Sequence, residues 1–202
     1  MTIDSSAEPA TIQVDIAAMK PGFEPNDFIF GRTGNGGPGE WRVVNDPTAT
    51  GQTAIAQTST DTTGYRFPVA IYQPLSAKDV DVVIRFKPVG GKVDQAGGIA
   101  VRLSTPDDYY VARANALEDN VRFYRVVKGR REQIEGADTK VAGNQWHTLG
   151  LRAEGDRFTV SFDGKELFSA RDATFGGPGK VALWTKADSV THFDNLAIRQ
   201  LP

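Results

Sequence analysis

The sequence predicts an all-β protein, an antiparallel β-sandwich of many short strands. Three observations carry this. Apolar and polar residues alternate with period two over several stretches, the signature of strands with one buried face. Turn-forming residues gather between those stretches, and the 202 residues include 21 Gly and 11 Pro, which suits frequent chain reversal. Helical periodicity is nearly absent, so few crossover helices exist to join parallel strands.

Residues 1–22 are polar, rich in Ala and Ser, and end at Pro21-Gly22. They read as a leader, extended along a sheet or disordered, with residues 23–202 forming one sandwich domain. Gly31 to Gly39 reads as a mobile rim loop: it lacks the Gly-Lys-Ser/Thr ending of a phosphate loop and no helix follows it. Trp41 to Val44 is the first predicted strand. Val80, Val82, Ile84 and Phe86 then alternate with Asp79, Asp81 and Arg85, and Ile99, Val101 and Leu103 with Ala100, Arg102 and Ser104. Further strands are predicted over Tyr109 to Asn115, Val121 to Val127, Trp146 to Arg152, Phe158 to Phe162, Lys165 to Phe168, Lys180 to Lys186 and Thr191 to Leu201. Thr105-Pro106-Asp107-Asp108, Asp119-Asn120 and Asp163-Gly164 supply turns. Lys128, Gly129, Arg130 and Arg131 read as a solvated hairpin tip. A single turn of helix is allowed near Ala170 to Thr174.

Composition narrows the chemistry. With no Cys, disulfides, thiolate nucleophiles and Cys-based metal sites are excluded. A net charge of −2 gives no field that favours nucleic acid or an anionic membrane. No apolar run approaches the roughly 18 residues of a membrane-spanning helix. The opening residues have neither a basic nor an apolar leader pattern, so the chain as written carries no signal peptide.

Several segments, in order, resemble a known family. They are Val93-Asp94-Gln95-Ala96-Gly97-Gly98-Ile99, the run from Tyr109 to Tyr124, Trp146-His147, Asp163-Gly164, Gly179 to Lys186 and Phe193-Asp194-Asn195-Leu196. Together they are similar to the bacterial domain family described as 3-keto-disaccharide hydrolases, which stands beside laminin-G-like domains and family 16 glycoside hydrolases. The resemblance covers roughly residues 25–200. It implies a concanavalin A-like jelly roll, an exported or periplasmic setting and a carbohydrate ligand.

Candidate site residues follow from this frame. Arg113 and Asn115 run into Glu118, Asp119 and Asn120, and Arg122 and Tyr124 share a face of the next strand, with Arg102 on a neighbour. Donors and acceptors in such density suit sugar hydroxyls, and Trp184, on one face with Lys186, is the expected aromatic platform. In the enzyme version implied by the resemblance, a base removes the acidified proton beside the 3-keto group, and Glu118 is the carboxylate nominated. The paired-carboxylate run of family 16 enzymes, Glu-x-Asp-x-x-Glu, is missing, and Asp79 and Asp81 read as solvent-facing. His147 and His192 read as structural or surface residues. The superfamily resemblance also implies a structural calcium at Asp194, with carbonyls from the Gly31 to Gly39 region. A non-catalytic laminin-G-like binding module and a protein-interaction domain remain alternatives.

Overall fold

The computed structural model describes residues 10–202; the start of the leader lies outside the described residues. In chain order the strands are β1 (Thr11–Gln13), β2 (Phe28–Gly34), β3 (Trp41–Asn45), β4 (Thr53–Gln57), β5 (Arg66–Ala77), β6 (Val80–Gly90), β7 (Ala96–Thr105), β8 (Asp108–Asn115), β9 (Asn120–Val127), β10 (Arg130–Asp138), β11 (His147–Glu154), β12 (Arg157–Phe162), β13 (Lys165–Arg171), β14 (Gly179–Trp184) and β15 (Val190–Gln200). They form two antiparallel sheets. An eight-stranded sheet has the order β13-β12-β11-β6-β15-β4-β3, with β1 also paired to β15, and a seven-stranded sheet has the order β10-β9-β8-β7-β14-β5-β2. This is the antiparallel sandwich the alternation predicts, with the jelly-roll architecture the resemblance implies.

The main core lies between the sheets. Val80, Val82, Ile84 and Phe86 of β6 point into it and are essentially unexposed, because alternate residues of a strand share one face. Tyr110, Phe123 and Phe158 meet there, with ring centroids 4.4 Å apart for Tyr110–Phe158 and 4.9 Å for Phe123–Phe158. Residues 10–22 belong to this packing. β1 pairs with β15 through Ile12↔Ile198, and Val14, Ile16 and Met19 are buried in the core.

The other face of the seven-stranded sheet carries a second apolar cluster: Phe67, Val69, Tyr109, Val111, Tyr124, Val126 and Trp184 among others. These side chains are buried because the sheet curls over them. Tyr65, just before β5, donates its hydroxyl to the Gly129 carbonyl at 2.9 Å and accepts from the Arg131 N–H at 2.8 Å. In a flat sheet β5 and β10, five strand steps apart, would be roughly 24 Å from each other, so these bonds require strong curvature. Bulges in β7 and β14 supply part of it.

Several strands escape the sequence pattern for identifiable reasons. In β5, every residue from Arg66 to Tyr72 is buried, so no alternation shows. β4 is likewise buried throughout, whereas β10 is an edge strand with no buried residue. β2 takes in Gly31 and Gly34, part of the stretch expected to be a mobile loop. The helical turn expected near Ala170 is absent: β13 runs through Arg171, and among the described residues the helical turns are 3-10 turns over Ile16–Ala18 and Thr50–Gln52.

Trp184 is fully buried, stacks on Phe67 with centroids 5.2 Å apart, and donates its indole N–H to the Tyr109 hydroxyl at 3.0 Å. Trp184→Ala is therefore expected to destabilise the fold by about 3–5 kcal/mol, measured by urea denaturation.

Candidate functional site

The β8–β9 hairpin and the loops beside it assemble a polar cluster at one end of the curled sheet. Arg113 is 3% exposed. It donates to Glu118 at 2.8 Å and to the Tyr124 hydroxyl at 3.0 Å, and a third bond reaches Asn120 Oδ1. Asn120 also donates to Glu118 at 3.2 Å. The hairpin turn makes this possible: Asn115 pairs with Asn120, and Asp119 takes the left-handed φ of 49° that a tight reversal needs. Gly98 lies beneath, where a Cβ would stand 2.7 Å from the Ala112 carbonyl and 3.0 Å from Arg113 Cβ, so a side chain there would push Arg113 out of place.

Beside this group, Lys186 meets the buried Asp94 at 2.5 Å, and Asn115 donates to the other Asp94 oxygen. Asp94 is placed by Asp188, whose carboxylate accepts the successive N–H groups of Lys92, Val93 and Asp94 at 2.6, 3.0 and 3.0 Å. Three amides converging on one carboxylate form an anion-binding nest.

Electrostatics favour the ionised form of Glu118. Burial works to raise the Glu118 carboxyl, but Arg113, Asn120 and Lys186 outweigh it and keep the group below the ordinary glutamate value. The Glu118 side chain is 42% exposed and faces solvent over the buried guanidinium. Arg113 Nε is buried with no partner among the described residues. Arg131, read as part of a solvated tip, instead folds back over Tyr124 and Phe67, its guanidinium 4.3 and 4.8 Å from the ring centroids.

Thus Arg113, Asn115, Glu118, Asn120, Tyr124 and Lys186 come together. Three expectations need correction. Trp184 is no platform, since the curled sheet covers it. Arg102 lies toward the opposite end of β7 and works as a clamp. It has the left-handed φ of 51° at a bulge, and donates to the carbonyls of Lys78, Phe175 and Gly155 and to Asp79. Arg122 shares the face but turns to the edge strand, pairing with Asp138 at 2.6 Å across Gly136. Sequence reading missed Asp94 and Arg131 as site neighbours; an acid heading the apolar Ala96-Gly97-Gly98-Ile99 strand is the signal that marks Asp94.

The donor set at Asp194 does not suit calcium. Its carboxylate accepts from the N–H groups of Thr50 and Asn195, each at 2.7 Å, and from Arg85 at 3.1 Å, so a positive charge already stands against it. The Gly37 and Pro38 carbonyls accept instead from the fully buried Arg66, at 2.8 and 2.7 Å. No three His, Asp or Glu side chains gather in metal-binding geometry among the described residues. Both histidines pair with carboxylates: His147 with Asp163 at 2.8 Å, His192 with Asp46 at 2.7 Å. Asp81 is not simply solvated either, since Arg199 binds it at 2.9 Å.

Two antiparallel sheets, one of them curled, with a polar cluster at one end, define a lectin-like β-sandwich. Residues 66–201 match the family described as "Galactocerebrosidase, C-terminal lectin domain", and the chain belongs to that family. It is 30% identical over 88 residues to the levanase of Bacillus subtilis (strain 168), covering 43% of this chain and 13% of the levanase, so it spans a small part of that relative's length. Among solved structures, the carbohydrate-binding module CBM66 from Bacillus subtilis superposes with a TM-score of 0.67 at 21% identity, over 87% of this chain and 98% of that one. The β-glucanase of Bacillus licheniformis superposes with a TM-score of 0.58 at 12% identity, over 98% and 100%. At these identities the two structures speak to fold.

Asp188→Asn is expected to cost about 2 kcal/mol by weakening the three charge-assisted bonds. Burial opposes ionisation of Asp188, but the amides of Lys92, Asp94 and Val93 outweigh it and lower its pKa. Its contribution is therefore full above the usual aspartate range and lost as pH falls through the folded value. Urea midpoints from neutral pH down to about pH 3 are expected to fall less steeply in the variant than in the parent protein.

Proposed function

We propose that this domain binds carbohydrate, through the cluster of Arg113, Glu118, Asn120 and Lys186 at the end of the seven-stranded sheet. One observation carries the reading. A half-exposed, ionised carboxylate, Glu118, is held at hydrogen-bonding distance from a buried arginine and an amide. Vicinal sugar hydroxyls, each both donor and acceptor, complement such a set. Membership of a lectin-domain family supports it, as does the fold shared with a carbohydrate-binding module. An exported setting, implied by the sequence resemblance, goes with this reading.

The same geometry favours binding over turnover. A base that takes a carbon-bound proton needs a carboxylate of raised basicity, and Arg113 shifts Glu118 the other way. Hydrolysis of a 3-keto-glycoside with Glu118 as base is the finer reading from sequence, and here Glu118 serves as an acceptor for a sugar hydroxyl.

Titration calorimetry against neutral fructo-, arabino-, galacto- and gluco-oligosaccharides tests this. Glu118→Ala, at the half-exposed edge of the cluster, and Lys186→Ala, which removes the cation from the buried Asp94, are expected to lower affinity by about tenfold or more. Each leaves a buried charge without its partner and lowers the thermal midpoint, so affinity is measured well below the midpoint of each folded variant. Unaltered affinity in both would place the ligand elsewhere. A 3-keto-glucoside is expected to survive incubation with the protein; release of its aglycone, lost in Glu118→Gln, would restore the hydrolytic reading.

A further inference from the structure

The outer face of the eight-stranded sheet, on the far side of the sandwich, carries a different constellation. Trp146, just ahead of β11, lies over β6 with Arg85 and Lys87 at 4.8 and 5.2 Å from its ring centroid. Its indole N–H donates to Thr48 Oγ1 at 2.8 Å. The ring is partly exposed, next to the exposed turn Gly143-Asn144-Gln145. It is thus fixed in orientation before any ligand arrives, which removes an ordering cost from binding.

Both cations are already neutralised: Arg85 meets Asp194 at 3.1 Å and Lys87 meets Asp46 at 2.5 Å. Arg85 also links the ring to a cleft, donating to Thr50 Oγ1 at 2.6 Å. The cleft has a volume of about 320 Å³ and is lined by Gln13, Asp15, Thr50, Asp194 and Asn195 among others. That is the low end of the size range of ligand pockets. An aromatic face beside a small polar cleft matches one sugar unit stacked on the ring, with its hydroxyls or the next unit reaching acceptors.

We infer that this face is a second glycan site, independent of the Arg113 cluster, and that it takes a neutral saccharide. The apolar C–H face of the sugar stacks on Trp146, and its hydroxyls bond Asp15, Asn195 and Thr50. An acidic sugar is disfavoured, since Asp15 lines the cleft and both nearby cations already have carboxylate partners. Two sites on opposite faces would let one domain engage two chains or two ends of one polysaccharide, raising avidity without new contacts.

The test is amide and indole NMR of the intact chain titrated with the same neutral oligosaccharides and, separately, with oligogalacturonate. With at least one neutral member, the Trp146 indole and Asn195 signals are expected to move together, and to do so equally in Glu118→Ala. Asn195→Ala is expected to weaken that response by about tenfold while leaving shifts at Asn120 unchanged. Failure of the Trp146 indole to respond to any neutral member overturns the inference, as does a response confined to oligogalacturonate. A response abolished by Glu118→Ala would show a single site and overturn it too. Shifts at Asn120 report the Arg113 cluster separately, so either site can fail alone.

Discussion

The curl of the seven-stranded sheet is the constraint on which the rest depends. Its strands are apolar on both faces, and a sheet with two apolar faces must bury both. The inner face packs on the eight-stranded sheet. The outer face has no third layer, so the sheet bends until its own margins close over Phe67, Tyr109, Val111 and Trp184. Tyr65 and Arg131 fasten the closure from opposite margins. Trp184 and the floor of the concavity are therefore core, and polar chemistry is displaced to the end where β8 and β9 turn.

Buried arginines stabilise what the curvature strains. Arg66 and Arg102 each bind several backbone carbonyls from loops distant in sequence, Arg66 at Gly37, Pro38 and Ala187, Arg102 at Lys78, Phe175 and Gly155. A planar guanidinium with five donors suits this task, since irregular loops leave carbonyls that no ladder satisfies. Arg113 differs in kind. Its partners are side chains, one of them half in solvent, and one of its donors has no partner among the described residues.

The two outer surfaces of the sandwich are chemically distinct. The curled sheet presents a charged, buried-arginine cluster with little open aromatic surface. The eight-stranded sheet presents a pinned indole and a shallow polar cleft. Loop residues 46–50 create the second arrangement by reaching across β15 and β6, with Asp46 on Lys87 and His192, Thr48 on Trp146, and Thr50 on Arg85 and Asp194.

The sequence by itself determined the fold class, most strand positions and the hairpin holding Arg113, Glu118 and Asn120, because period-two alternation and turn chemistry are local properties. It left β4 and β5 unread, since burial on both faces erases alternation, and β1, whose three residues are too few to show a period. Only the tertiary structure decided which polar residues share a site. Arg102 and Arg113 look alike in sequence, each in a strand of alternating residues, yet a bulge sends one to the loop carbonyls and the hairpin turns the other toward Glu118. Trp184, expected as an open platform, is core, while Trp146 is partly exposed. Whether an indole is floor or surface depends on how far a sheet bends, and bending is set by contacts between strands remote along the chain.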